Sequence, residues 1–481
     1  MDFLPAPAAA SHRGARVPPR FRGAPASAGP TPRITPVPPL PHPRTDTGHC
    51  PEPTPATTVN PHRPLPRTDS DPARIRRYSG GMSRRETDVF VIWDDSFTEY
   101  NFGPEHPMNP LRLDLTAKLA TDFGLFDNAR VHISGVPEVD EPTLLRLHSQ
   151  EFVDAVKDAE RSSSIDEATA QKYGVGTEDV PRFEKIHEAS GRIFQGSAEA
   201  ARAITGGNYE RAVNFCGGMH HAMPGRAAGF CVYNDLAGAI DHFLAEGYER
   251  IAYLDLDAHH GDGVESFYWD DPRVLTISLH ENGRFLFPGT GFANDIGGLS
   301  ASASAVNVAL PPRTDDADWL RAIDSVVPAV LREFRPQVLI SQHGCDGHRL
   351  DPLTHLRLSV DAMRRAAEWV RDLADDYAEG KWLATGGGGY ALVDVVPRAW
   401  VNLVAIAAGA DIAPSTALPE RWKDYVTAIA GITPPEVMTD GHDGMFSSWA
   451  EGFDPESDLD RTVMSTRKNI FPFYGLDAYY D

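Results

Sequence analysis

The sequence predicts an α/β fold: a central, mostly parallel sheet with helices on both faces. Three observations predict it. From residue 87 onward, short β-branched runs alternate with amphipathic helical stretches. Several of the runs are continuously apolar, as strands buried on both faces require. The runs also end in Gly, His or Asp, which puts polar clusters where open parallel sheets bind ligands.

In chain order the strands are expected at 88–93, 212–216, 250–256, 274–279, 305–310, 337–342 and 381–385, each a short run rich in aliphatic or aromatic residues. Helical periodicity marks 110–121, 149–160, 184–204, 236–246, 315–334, 359–377 and 391–409. No internal repeat is present. The tail from 411 to 481 reads as irregular, yet it keeps Trp422, Tyr425, Phe446, Trp449, Phe471 and Phe473, so it is expected to pack against the domain.

The chain has 481 residues, 41% of them apolar, enough for a sizeable core. Its apolar runs stop short of the ~20 residues a membrane span needs, which excludes an integral helical membrane protein. Cys50, Cys216, Cys231 and Cys345 form no CxxC pair, which argues against a disulfide framework or a thiolate zinc site. That count suits a reducing compartment, and a cytoplasmic location is expected.

The net charge of −23 hides two unlike pieces. Residues 1–85 carry 13 Arg, no Lys and 5 acids, a net of +8, which leaves −31 on residues 86–481. The acidic body repels phosphate and disfavours nucleic-acid binding. Nineteen of the 40 prolines precede residue 82. Proline removes a donor and restricts its neighbour, so this Pro/Arg-rich leader is expected to be disordered. It lacks the apolar stretch of a secretory signal. A translation start at Met82, just before Val89-Phe-Val-Ile-Trp93, would leave a compact domain of about 400 residues without it; intact mass of the native protein decides this.

Four polar clusters follow predicted strands. Strand 212–216 leads into Gly217-Gly-Met-His220-His221. Strand 250–256 leads into Asp257-Ala-His259-His260-Gly261-Asp262, strand 337–342 into His343-Gly-Cys-Asp346-Gly-His348, and strand 381–385 into Gly386-Gly-Gly-Gly-Tyr390. Any one of these alone is a solvated loop or a cap. Four at the strand ends of one sheet imply one pocket.

With a strand period of two, Asp255, Asp257 and His259 project to one side. Asp257 and His259 can then grip one divalent ion, with Asp346 completing an Asp2His set. Three protein ligands with open positions describe a catalytic metal site, and oxygen-rich ligation suits Zn²⁺ or Fe²⁺. His220 and His221 can serve as general base and electrostatic partner, with Asp255 and Asp262 as the acids that orient them. The Gly386–Gly389 run lets backbone approach a ligand, and the Tyr390 hydroxyl can donate to an oxyanion. No Lys-Ser/Thr follows the glycines, so they are not a P-loop.

These residues resemble the metal-dependent histone deacetylase superfamily. The motifs are Gly229-Phe-Cys-Val-Tyr-Asn-Asp235, Asp255-Leu-Asp-Ala-His-His-Gly-Asp-Gly263, Phe287-Pro-Gly-Thr-Gly291 and Gly386-Gly-Gly-Gly-Tyr390. Ile92-Trp-Asp-Asp95, Phe102-Gly-Pro-Glu-His-Pro-Met108 and Asp351-Pro-Leu-Thr-His355 look like its bacterial acetoin-utilisation (AcuC-like) branch. The likeness runs in unbroken order from about 87 to 410 and omits the leader. It implies the arginase/deacetylase-like α/β fold, and hydrolysis of an acetyl-lysine amide by one zinc or Fe(II) ion held by Asp257, His259 and Asp346. By the same resemblance His220 and His221 are the tandem histidines and Tyr390 the transition-state tyrosine. Gly229, Phe230 and Phe287 line a narrow lysine tunnel, Leu353 lies near its mouth, and Asp179 is a rim acid that binds substrate backbone. A structural potassium would use main-chain oxygens of Asp255, Asp257, His259 and Leu279 with the Ser278 hydroxyl. The branch suggests acyl-CoA-forming enzymes as substrates rather than histones.

Three rivals share this pattern. A binuclear arginase-type site needs Asp-x-His-x-Asp, but Gly261 stands at the fifth position and Asp346-Gly-His348 replaces Asp-x-Asp. A non-catalytic acetyl-lysine binding module would be expected to lack a histidine, a ligand or Tyr390. A small-molecule amidohydrolase of the acetylpolyamine type would keep the chemistry and change the mouth.

Overall fold

The computed structural model describes residues 87–481; the leader and Met82 lie outside them. Eight strands form one sheet, β1 (Val89–Ile92), β2 (Val131–Ser134), β3 (Arg211–Asn214), β4 (Ile251–Asp255), β5 (Val274–Glu281), β6 (Ala305–Leu310), β7 (Val338–Gln342) and β8 (Trp382–Thr385). Their order is β2-β1-β3-β8-β7-β4-β5-β6 and every pairing is parallel. The expected parallel α/β sheet is therefore present. From β3 to β8 along the chain every strand residue is buried, so both faces are covered.

Among the described residues twelve α-helices surround it: α1 (Leu111–Asp122), α2 (Glu141–Leu147), α3 (Gln150–Arg161), α4 (Glu167–Tyr173), α5 (Ile186–Thr205), α6 (Asp235–Ala245), α7 (Asp262–Tyr268), α8 (Asp316–Phe334), α9 (Val360–Tyr377), α10 (Val396–Ala407), α11 (Glu420–Ala430) and α12 (Asp458–Ile470). One packed series runs α11–α1–α10–α9–α8–α12, another α3–α5–α6–α7. Side-chain caps start many of them: Ser149 accepts from Phe152 N–H at α3, Asn234 from Ala237 at α6, and Ser359 from Ala362 at α9.

The register explains where the site can stand. Asn214, Thr385, Gln342, Asp255, Ser278 and Asn307 pair side by side across β3, β8, β7, β4, β5 and β6. All six are buried. An apolar sheet thus carries one polar row near its carboxyl edge, and the four polar clusters leave from β3, β8, β7 and β4, which are adjacent strands at its centre.

Four expectations change. β2 was not anticipated: Val131-His-Ile-Ser is short, lies at the sheet edge and is only partly buried, so it lacks a continuous apolar run. Strand 250–256 stops at Asp255, because the Asp255 carboxylate accepts the Asp257 N–H and that of Asp257 the His259 N–H, bending the chain out of the ladder. Helix 391–409 starts only at Val396. The tail is not irregular, since α11 and α12 lie in it. Trp422 and Phe471 are fully buried, but Phe473 is 48% exposed and does not join the core. Among the described residues no helix is long and apolar enough to cross a membrane.

Candidate active site

Each cluster is carried to one point by its own strand. Asp257 and His259 follow β4, Asp346 follows β7, and their ligating atoms lie within 4.8 Å of one another. His259 Nδ1 stands 3.1 Å from Asp257 Oδ1 and 2.8 Å from Asp346 Oδ2. The other carboxylate oxygens are committed elsewhere: Asp257 Oδ2 accepts from Gln342 Nε2 at 2.7 Å and Gly388 N at 2.8 Å, and Asp346 Oδ1 accepts from Ala258 N at 2.9 Å. Each acid therefore turns one oxygen to a common centre. Burial, then the charge of Asp257, pushes the Asp346 carboxyl up to about 6. Two acids forced together without solvent need a cation between them. This donor set fits a divalent metal ion.

The tandem histidines occupy the loop after β3. His220 Nδ1 lies 2.8 Å from Asp255 Oδ2, and His221 Nδ1 lies 2.7 Å from Asp262 Oδ1 at the first position of α7. Burial lowers both rings, but their surroundings differ. Around His220, Asp255, Asp257 and Asp262 outweigh burial and hold the metal-free ring at about 9. His221 is lowered to about 4 by burial and by the neighbouring His220 charge, which Asp262 does not offset. One ring is thus cationic and the other a neutral acceptor near neutrality.

Tyr390 is half-buried after the glycine run, its ring edge-on to Phe230 at 5.7 Å. Burial, then Asp346 and Asp257, pushes its phenol well above the ordinary range, so it stays a donor. Gly388 is required where it stands, because a Cβ there would collide with the Asp346 carboxylate and sit 2.9 Å from Asp257 Oδ2.

A cavity of about 270 Å³ opens from these groups to the surface. Phe230, Phe287, Gly229, Leu353, Met108 and Asp179 line it above the histidines and ligands. Phe287 meets His221 edge-on at 5.0 Å and is 47% exposed at the outer end. Asp179 lines the cavity too, but its Oδ2 accepts the Gly229 N–H at 2.7 Å, so half of the carboxylate already serves the protein. Ser278 is the register partner of Asp255, and its hydroxyl lies 2.8 Å from His280 Nδ1. His280 Nε2 in turn meets the Gly291 carbonyl, so the serine proton points to His280 and its oxygen lone pairs stay available. Leu279 follows it on the fully buried β5.

Several supporting residues escaped the sequence reading. Arg112 donates from Nη1 to the Gly387 and Gly389 carbonyls at 2.8 and 3.3 Å, bracing the glycine run. Tyr100 donates its hydroxyl to the Phe230 carbonyl at 2.6 Å. That bond matters because Phe230 has φ of +64°, an unfavourable conformation for a residue with a Cβ. Asp351 accepts from Tyr390 N at 2.8 Å and Leu353 N at 3.0 Å. Phe102, which packs on Tyr100 at 5.2 Å, and His106 belong to the Phe102–Met108 motif, while Tyr100 itself lies just outside it.

The Asp-His-Asp centre, the paired histidines and Tyr390 thus stand together at the carboxyl edge of a doubly covered parallel sheet. Residues 106–407 match the histone deacetylase domain family. The chain is 38% identical over 335 residues to the acetoin utilization protein AcuC of Bacillus subtilis (strain 168), covering 70% of this chain and 85% of that protein. It is 34% identical over 359 residues to AcuC of Staphylococcus xylosus, covering 75% and 92%. The crystal structure of an HDAC homolog from Aquifex aeolicus superposes with a TM-score of 0.69 at 25% identity, over 79% of this chain and all of that one. A structure of an HDAC homolog complexed with SAHA gives 0.69 at 26%. The chain belongs to the histone deacetylase family, in its AcuC-like branch, and is a hydrolytic deacetylase.

Proposed function

We propose that this deacetylase removes acetyl groups from lysine side chains of proteins, with acyl-CoA-forming metabolic enzymes as substrates, in the cytoplasm. The observation that carries the reading is the cavity. Its wall brings Phe230 and Phe287, as apolar flanks for a lysine stem, together with Asp257 and His259 of the candidate metal centre and with Tyr390. Those three residues would hold zinc or Fe(II), and such an ion supplies carbonyl polarisation and a water of lowered pKa, towards ~7 for zinc in favourable sites.

The chain's own groups do the rest. His221 takes the proton of the attacking water and delivers a proton to the leaving amine nitrogen. His220, held through Nδ1 by Asp255, stabilises negative charge as it develops. Tyr390 donates its hydroxyl to the carbonyl oxygen, a contribution of ~3–4 kcal/mol in comparable sites. Asp255 and Asp262 fix the two rings by their Nδ1 atoms. Apolar walls suit a neutral acetylated head and disfavour the charged product lysine. At the rim, Asp179 offers its remaining oxygen to substrate backbone and Gly229 shapes the entrance with Leu353. A potassium ion beneath the floor would be held by main-chain oxygens of Asp255, Asp257, His259 and Leu279 with Ser278 Oγ.

The test is release of acetate from acetyl-lysine peptides and from an acetylated polyamine, with and without a chelator. Peptide turnover lost on chelation and restored by metal is expected. Preference for the polyamine would move the substrate to the small-molecule class, and peptide binding without turnover would leave only a binding module.

A further inference from the structure

The matched family domain ends at residue 407, yet the tail beyond it reaches back to the catalytic loop. His348, two residues past Asp346, is fully buried, and its Nε2 lies 2.8 Å from Asp440 Oδ2. Its Nδ1 accepts the Leu350 N–H at 3.1 Å, so the ring carries its proton on Nε2 and donates it to Asp440. The carboxylate has three donors in all. Oδ2 also accepts from Val360 N at 2.9 Å, at the start of α9, and Oδ1 from Arg398 Nη2 on α10 at 2.8 Å. The Asp440 side chain is only 8% exposed, and its own N–H donates to Asp361 at 2.9 Å.

What this imidazole anchors is a loop with two tasks. Its first end carries Asp346, whose carbonyl accepts from Thr354 Oγ1 at 2.7 Å. Its far end carries Asp351, which holds the backbone of Tyr390 and of Leu353. The His348 carbonyl accepts the Asp351 N–H at 2.8 Å, so the ring sits at the hinge between the two tasks. We infer that Asp440 is a positioning residue for deacetylation, acting through His348 to set Asp346 and the Asp351–Tyr390 contact at once. Outer-shell groups that brace metal ligands fix their orientation, and loss of such a group typically costs 10–100-fold in metal affinity or activity. The inference rests on the metal-dependent reading of the site.

The experiment compares His348→Phe, which keeps a ring and removes both hydrogen bonds, with His348→Gln, which keeps a donor toward Asp440, and with Asp440→Asn. Metal-loaded full-length proteins are followed for metal release to a chelator and, separately, for peptide kcat and KM. His348→Phe and Asp440→Asn are expected to release metal about 10-fold faster and to lower kcat about 10-fold with KM within about twofold. The double variant should be no worse than the poorer single one, and His348→Gln should recover most of the loss. Release and kcat within twofold of the parent, with only the melting temperature lowered, would overturn the inference and leave a structural tie. If His348→Phe does not fold, Asp440→Asn is judged by the same two readouts. A parent protein that holds metal but does not turn over peptide would refute the functional reading, while metal release would still decide the role of Asp440.

Discussion

The floor and the mouth of the cavity are built on opposite principles. At the floor, Asp257, Asp346, Asp255 and both histidines are buried, and each carboxylate has a partner from a different strand end. At the mouth, Phe287 is half in solvent, Leu353 and Phe230 are half-buried, and Asp179 makes one backbone contact. Buried polar networks tolerate no missing member, whereas apolar walls act through area and fail gradually. The floor should therefore govern turnover and metal retention, and the mouth affinity.

The sharpest test removes a floor ligand. Asp257→Ala is expected to leave the protein without stoichiometric metal by elemental analysis and to cut turnover on the order of 1000-fold or more. Unchanged metal content would break the distinction outright. Tyr390→Phe should lower kcat about 10²–10³-fold with KM within about threefold, measured on an acetyl-lysine peptide. A dominant rise in KM would move the tyrosine from the floor's role to the mouth's. Phe287→Ala should do the reverse, raising KM about 5–30-fold, equivalent to ~1–2 kcal/mol of lost apolar contact, while kcat stays within about threefold.

The smallest effect concerns stability and pH. His148, fully buried, is lowered to about 4 by burial, with its Nδ1 near the Met223 carbonyl and its Nε2 accepting the Asn234 N–H. The unfolded chain takes up this proton near ~6.5 and the folded one resists it. Its contribution is thus intact above pH 6.5 and is lost as pH falls toward 4, at no more than ~1.4 kcal/mol per pH unit. Urea unfolding should show that decline, and a flat profile across the window would refute it.

The sequence displayed the floor more fully than its supports. Asp257, His259, Asp346, His220 and His221 each stand just beyond a strong apolar run, so their convergence could be inferred from strand ends alone. The alternation that seemed to aim Asp257 and His259 does not operate, since the strand has ended and carboxylate-to-backbone bonds steer them instead. Asp440 gave no signal at all. It lies in a loop 92 positions from His348, and only the folded chain brings the two together. Tyr100 was hidden for a similar reason, because its partner is a main-chain carbonyl, which no side-chain pattern reports. Edge strand β2 was missed because its stability comes from pairing with β1 rather than from its own apolar content.

The stretch Gly386–Gly389 has a bearing on how such an enzyme can diversify. Side chains at 387 and 388 would strike Gln342 and Asp346, and at 389 the Cys345 thiol. That wall is bare main chain, with nothing to shorten and no room to lengthen. Acceptance of bulkier acyl groups must accordingly be tuned by residues such as Leu353, Met108 or Leu286 that also border the cavity, leaving the reactive centre unaltered as selectivity drifts around it.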